Sequence, residues 1–238
     1  MDLFRIIPRF EIKGLNLVKG INMEGFRKIS NFENRVEKYV KMGADELFFD
    51  DIVASLYNRL PNFDLLKRLV ENINIPVIAS GGISNLKIVN KYMHSGADKV
   101  AINSSLFKNK NLIKNVVRNY GSQAIIAQIQ YKFQGFNKWE VYFWNGRERS
   151  NIEVKDWIKY LQDNGIGEII FVSIDRDGKS NGPDLEFINS VKDQVYTPFI
   201  YGGGIRDLDD IDMLKKIGID GCTLSNSLHF DKLVKLKK

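Results

Sequence analysis

The chain is poor in sulfur and imidazole, with one cysteine, Cys222, and two histidines, His94 and His229, in 238 residues. A single thiol excludes an intrachain disulfide and fits a reducing compartment, so a cytoplasmic protein is expected. The two histidines lie far apart and show no zinc spacing, and no GxSxG or P-loop pattern occurs; no metal and no cofactor is expected. His94 is expected on a helix surface and Cys222 inside a strand as a core thiol. No apolar run reaches the roughly 18 residues of a membrane span. The start, Met1-Asp2-Leu3-Phe4-Arg5, lacks the segments of a signal peptide. With only five prolines and nineteen glycines, collagen-like and low-complexity classes are excluded.

What is present is 44% hydrophobic and 27% charged residues, enough to build one domain over residues 1–238. The net charge of +6 fits anionic partners. Basic and acidic residues are interspersed and no arginine-rich strip occurs, which favours phosphorylated small molecules over nucleic acid. Much of the excess sits in residues 232–238, expected to present the solvated face of a short last helix.

An internal repeat organises the chain. Residues 76–106 align with 198–228 at an offset of 122 without a gap, and ten of the 31 positions are identical. The same offset relates Gly43, Glu46, Phe49 and Ile52 to Gly165, Glu168, Phe171 and Ile174. Within the halves, about 1–120 and 121–238, strand-like runs at 5–10, 46–51, 75–79 and 99–103 recur at 124–130, 168–174, 198–201 and 221–225. Amphipathic helical runs at 34–42, 64–73, 109–119 and 153–164 lie between them. Gly43, Gly96, Gly121, Gly165 and Gly218 stand where helices end. Four βα units occurring twice, with strands apolar on both faces, predict an α/β fold: a (β/α)8 barrel made of two half-barrels. Only ten residues follow Leu228, so its last helix is shortened.

Barrel sites lie on the loops after the strands. There, Gly81-Gly82 and Gly203-Gly204, with Asn103-Ser104 and Ser225-Asn226, would bring backbone N–H groups close to an anion. One such cradle in each half predicts an elongated ligand with a phosphate at each end. At the first strand tip stands Glu11, followed by a loop over 14–30; its counterpart at an offset of 119 is Gln130. The carboxylate can move a proton, whereas the amide cannot. Asp50, Asp51, Asp175, Arg176 and Asp177 are further polar groups at the mouth. At the opposite end, Arg5, Glu46, Lys99 and Glu168 place two charges of each sign near the barrel core, where they are costly unless paired; a closed ring there would control passage along the axis.

The residues Arg5-Ile-Ile-Pro8, Leu17-Val-Lys-Gly20, Gly43-Ala-Asp-Glu46, Gly96-Ala-Asp-Lys-Val-Ala-Ile-Asn103, Gly121-Ser-Gln123, Trp139-Glu-Val-Tyr142 and Asp175-Arg-Asp-Gly178 resemble the cyclase subunit of imidazole glycerol phosphate synthase, over nearly the whole chain. The resemblance implies a glutaminase partner at the N-terminal face of the barrel. Ammonia would rise along the axis to a diphosphorylated ribonucleotide (PRFAR), giving imidazole glycerol phosphate and an aminoimidazole carboxamide ribotide (AICAR). It also implies that Arg5, Glu46, Lys99 and Glu168 form an ammonia gate, and that Lys19, Asp177 and Gly178 join the cradles in binding substrate. The family carries an aspartate at each of the two catalytic strand tips; here they are Glu11 and Gln130. Position 9, usually small, is Arg9, and Phe143 and Trp144 add bulk near the mouth. An alternative resemblance is to paralogues that pair with a glutaminase and pass ammonia to a separate sugar amidotransferase of surface-polysaccharide biosynthesis.

Overall fold

The computed structural model describes residues 4–57 and 59–236. Met1, Asp2 and Leu3 of the N-terminal reading, and the last two lysines of the tail, lie outside the described residues. The elements run β1 (Arg5–Lys13), β2 (Asn16–Ile21), β3 (Glu24–Asn31), α1 (Glu33–Lys41), β4 (Leu47–Asp51), α2 (Phe63–Val70), β5 (Val77–Ser80), α3 (Leu86–His94), β6 (Lys99–Ile102), α4 (Ser104–Lys108) and α5 (Leu112–Tyr120). The second half continues with β7 (Ile125–Gly135), β8 (Lys138–Phe143), β9 (Glu148–Glu153), α6 (Val154–Asp163), β10 (Glu168–Ser173), α7 (Leu185–Val191), β11 (Phe199–Gly202), α8 (Leu208–Ile217), β12 (Gly221–Leu224) and α9 (Asn226–His229).

Eight parallel strands close a (β/α)8 barrel in the order β1, β4, β5, β6, β7, β10, β11, β12 and back to β1. The repeat extends to register. Leu47 pairs with Val77 and Ile169 with Phe199, while Ile78 pairs with Lys99 and Ile200 with Gly221, all related by 122. Glu11 lies beside Asp50 as Gln130 lies beside Val172, so the offset of 119 for the first strand of each half also holds.

Local chemistry places the helices. Asn62, Asn85, Asp184 and Asp207 each accept a hydrogen bond from a backbone N–H in the first turn of the helix they precede. The five helix-ending glycines adopt φ between 82° and 94°, the left-handed region that favours glycine. Helices pack their apolar stripes on the outer strand faces in one large core, while Ile7, Phe48, Ile78, Ala101, Ile126, Ile170 and Ile200 form an inner layer within the barrel.

Three expectations change. The 14–30 loop is the antiparallel hairpin β2–β3, and the strand-5 region is extended into the antiparallel ribbon β7–β8–β9. Two tight turns with positive φ at both central residues, Asn22-Met23 and Phe136-Asn137, close the β2–β3 and β7–β8 pairs, because that geometry matches strand twist, while a four-residue turn over 144–147 joins β8 to β9. Finally, the tail presents no helix face: α9 spans one turn, and the chain then runs without helix to Leu236. Leu233 and Leu236 are buried and Leu236 N–H donates to Met42 O, so the tail's leucines are drawn into the core beside α1. His94 is the exposed last residue of α3, and Cys222 is fully buried in β12.

Candidate active site at the barrel mouth

Glu11 and Gln130 stand on β1 and β7, separated by three barrel strands in either direction, and both are buried. Their surroundings differ. Lys19 Nζ lies 2.7 Å from Glu11 Oε2, and Arg9 Nη2 lies 3.8 Å from Oε1. Burial pushes the Glu11 carboxyl up, Lys19 and Arg9 pull it down, and Asp177 adds to the rise; the net direction is upward. That is the direction that suits a general acid or base near neutral pH. Gln130 instead accepts a hydrogen bond from Gly146 N–H at 2.9 Å, so its amide is anchored to the β8–β9 turn.

Lys19 is shared. Its ammonium donates to both oxygens of Asp177, at 2.8 and 2.9 Å, as well as facing Glu11. Burial lowers its pKa, but Asp177 and Glu11 outweigh this, and the ammonium stays charged. Asp177 also accepts from Met23 N–H at 3.2 Å, while its own carbonyl accepts from Asn22 N–H at 2.9 Å. The turn of the β2–β3 hairpin is thereby tied to the loop after β10, and Met23 is buried with Tyr142, Val172 and Ile174.

Arg9 has a structural role that was not apparent from sequence. It is 3% exposed, and its guanidinium donates twice to Asp50, at 2.7 and 3.1 Å, with Cζ 5.6 Å from the Phe48 ring centroid. The offset of 119 maps Arg9 onto Gln128, so each half has a long polar side chain two residues before its strand-tip residue, a signal available in the sequence. Asp51 has a separate role: it pairs with Arg59 at 2.6 Å and accepts from Asn62 N–H at 3.1 Å. Asp175 accepts from Phe133 N–H at 2.9 Å, and Arg176 Nη1 donates to Gly182 O at 3.3 Å, so these two brace loops.

The two cradles are built differently. Gly81, Gly82, Asn103 and Ser104 line one cleft together with Asp50, Gln128 and Gln130, and Trp144 and Asn145 form part of its wall. Gly81 has φ +101°, and a Cβ there would overlap Asp51 O, so only glycine fits. Ser104 Oγ accepts from Trp144 N–H at 3.0 Å, which draws the bulky β8–β9 turn against this cradle. In the second half, Gly204 O accepts from Gly182 N–H at 2.8 Å, and Gly203 packs on Ser173. Asn226 donates to Ser180 at 2.7 Å; with Lys19 and Gly178 it lines a separate groove, whereas Ser225 marks the end of β12.

At the other end of the barrel, the four predicted charges meet. Arg5 Nη1 lies 2.8 Å from Glu46 and Arg5 Nη2 3.1 Å from Glu168, while Lys99 Nζ lies 3.0 Å from Glu46 and 3.2 Å from Glu168. Cations and carboxylates alternate in a closed ring. Burial lowers the Arg5 pKa, but Glu168 and Glu46 raise it above its ordinary value. Asp45 and Asp98, also at this end, accept from the N–H groups of Ile6 and Val77 and so fix the starts of β1 and β5.

Fold and site define a class: a two-fold repeated (β/α)8 barrel with glycine cradles at its mouth and a charge ring at its base. A model of histidine biosynthesis proteins matches residues 5–234. The chain is 40% identical over 210 residues to a Legionella pneumophila protein named imidazole glycerol phosphate synthase subunit HisF, covering 88% of this chain and 99% of that one. Proteins of the same name from Prochlorococcus marinus subsp. pastoris and Dictyoglomus thermophilum are 37% and 34% identical, over 98% and 95% of this chain and 92% and 90% of theirs. The chain therefore belongs to the histidine biosynthesis protein family.

Proposed function

We propose that this chain is the ammonia-accepting, cyclase-type subunit of a glutamine amidotransferase. A partner glutaminase docks on the N-terminal face and hydrolyses glutamine to glutamate and ammonia. Ammonia passes the ring of Arg5, Glu46, Lys99 and Glu168 and rises to the mouth. The ring is the observation that carries this reading, because four mutually neutralised charges at the end opposite the cradles have no use for a ligand at the mouth. Relatives named as subunits of imidazole glycerol phosphate synthase support it.

In the mouth, the diphosphorylated ribonucleotide PRFAR would place one phosphate on Gly81, Gly82, Asn103 and Ser104. The other would lie against Gly178, Gly203, Gly204, Ser225 and Asn226, with Lys19 held nearby by Asp177. Addition of ammonia and ring closure yield imidazole glycerol phosphate and AICAR. Of the two repeat-related strand-tip residues Glu11 is the one that carries a proton, and Gln130 orients substrate. Such an assembly belongs in the cytoplasm. The test compares glutamine-driven with ammonium-driven turnover, with a glutaminase subunit present, in the parent and in Glu46→Gln. Loss of at least tenfold with glutamine, and less than twofold with ammonium, is expected; equal losses would contradict the ring's role.

A second reading is favoured by the buried Arg9–Asp50 pair and by Gln130, which leave the mouth crowded and one strand tip without a proton carrier. In it the barrel delivers ammonia to a separate sugar amidotransferase. It predicts no turnover of the ribonucleotide with ammonium, and a gain of turnover in Gln130→Asp.

A further inference from the structure

Beside the mouth lies a groove of about 690 Å3, within the range of small-molecule sites. Its walls are the β2–β3 hairpin on one side and the segment after β12 on the other. Two features distinguish it from an ordinary surface depression. Ile21 and Phe230 line it and remain 60% and 53% exposed, although most large apolar side chains are buried. Arg27 and Lys232 also line it, and neither has an ion-pair partner among the described residues; Glu24 is the one acidic side chain in the lining. The groove thus offers apolar and aromatic surface next to unneutralised positive charge.

Local structure explains why it is there. Pairing between β2 and β3 shifts between Lys19↔Arg27 and Ile21↔Glu24, an irregularity at Gly20 of the kind that re-aims neighbouring side chains. A Cβ on Gly178 would overlap Gly20 O, so hairpin and loop meet backbone to backbone at the floor. Helix α9 is one turn long, and the chain after Phe230 leads to Met42 at the end of α1, so none of the described residues covers this flank. Gly178 and Asn226, assigned above to the second phosphate cradle, form the edge where the groove adjoins the mouth.

We propose that this groove binds a nucleoside diphosphate, its base against Phe230 and Ile21 and its phosphates between Arg27 and Lys232 toward Gly178 and Asn226. The inference goes beyond the functional reading and rests on it only for the place of the second cradle, whose edge at Gly178 and Asn226 the terminal phosphate would reach. The nucleoside diphosphate is either free or linked through its terminal phosphate to a sugar. Base–aromatic contact accounts for preference over inorganic pyrophosphate, and the cations account for affinity common to both.

The experiment is calorimetric titration of the purified full chain, without glutaminase or ammonia, using UDP, ADP, UDP-glucose and inorganic pyrophosphate. Nucleoside diphosphates are expected to bind at least tenfold more tightly than pyrophosphate. Phe230→Ala should remove that preference while leaving pyrophosphate binding within twofold. Arg27→Ala and Lys232→Ala should weaken both classes at least fivefold, and Trp144→Ala, at the other cradle, should change neither. UDP-glucose binding as tightly as UDP identifies a sugar-linked ligand, and its exclusion identifies the free nucleotide; each agrees with the site. No preference over pyrophosphate, a preference that survives Phe230→Ala, or no binding at millimolar concentration would overturn it. Phe230 is half exposed, so its variant is expected to melt as the parent does. Because no turnover is measured, failure here leaves the ammonia reading intact, and failure of turnover leaves this site intact.

Discussion

The Arg9–Asp50 pair offers a quantitative test of how the mouth is held together. Arg9 is 3% exposed and Asp50 4%, and the two are joined by hydrogen bonds of 2.7 and 3.1 Å across the β1–β4 ladder. Replacing Asp50 by Leu leaves the guanidinium enclosed with Glu11, at 3.8 Å, as the remaining near carboxylate. Replacing Arg9 by Met leaves Asp50 enclosed without its cation. Breaking a buried pair from one side costs about 3–5 kcal/mol, whereas removing both charges together is often close to neutral. For a chain of this size each kcal/mol corresponds to about 2–4 °C, so each single variant should melt about 6–20 °C below the parent. The double variant Arg9→Met/Asp50→Leu should recover most of that loss, which makes the coupling energy about 5 kcal/mol or more, above the ~0.5–3 kcal/mol usual for contacting residues. Urea denaturation at pH 7 measures all four proteins. Single variants within about 1 kcal/mol of the parent, or losses that add in the double variant, would refute the argument that the pair neutralises itself inside the mouth.

Two further predictions concern other buried groups, His229 and Cys222. His229 is 1% exposed; Nε2 faces Arg9 O, so that nitrogen donates and Nδ1 accepts from Tyr39 O–H. Burial lowers its pKa to about 3, so the unfolded chain takes up a proton that the folded chain cannot: stability is full above about pH 6.5 and falls toward about pH 3. The contribution is about 1.4 kcal/mol per pH unit in that window. Denaturation of His229→Gln should show a shallower acid slope than the parent, and identical slopes would contradict the assignment. Burial also raises the Cys222 thiol pKa and closes it to reagents, so a thiol-reactive dye should label none in the native protein and one after denaturation; rapid native labelling would contradict the packing.

Much of this architecture could be read from the chain because the repeat constrains register as well as order. Offsets of 122 and 119 place Leu47 and Ile169, or Glu11 and Gln130, at corresponding rungs. The charge ring was legible for a related reason: Arg5, Lys99 and Glu168 each begin a barrel strand, with Glu46 immediately before one, so strand alignment alone brings them to one level. The β2–β3 hairpin was not legible, because Lys19-Gly-Ile-Asn-Met-Glu-Gly25 carries loop-like residues and its pairing is interrupted by irregularities. The Arg9–Asp50 pair was hidden because adjacent Asp50 and Asp51 face different neighbours, and only the folded barrel shows which one meets Arg9. The tail misled because its lysines read as a solvated face, whereas Leu233 and Leu236 decide its path.

The central claim is that Glu11, with an amide rather than a second carboxylate at the paired strand tip, suffices to use ammonia. It is tested most directly by incubating purified protein with an ammonium salt and the diphosphorylated ribonucleotide, and following loss of substrate absorbance beside Glu11→Ala. Removing a positioned acid or base typically costs about 10²- to 10⁴-fold. The account predicts turnover in the parent that falls by at least a hundredfold in Glu11→Ala. Turnover unchanged in that variant, or no turnover in the parent, would contradict it.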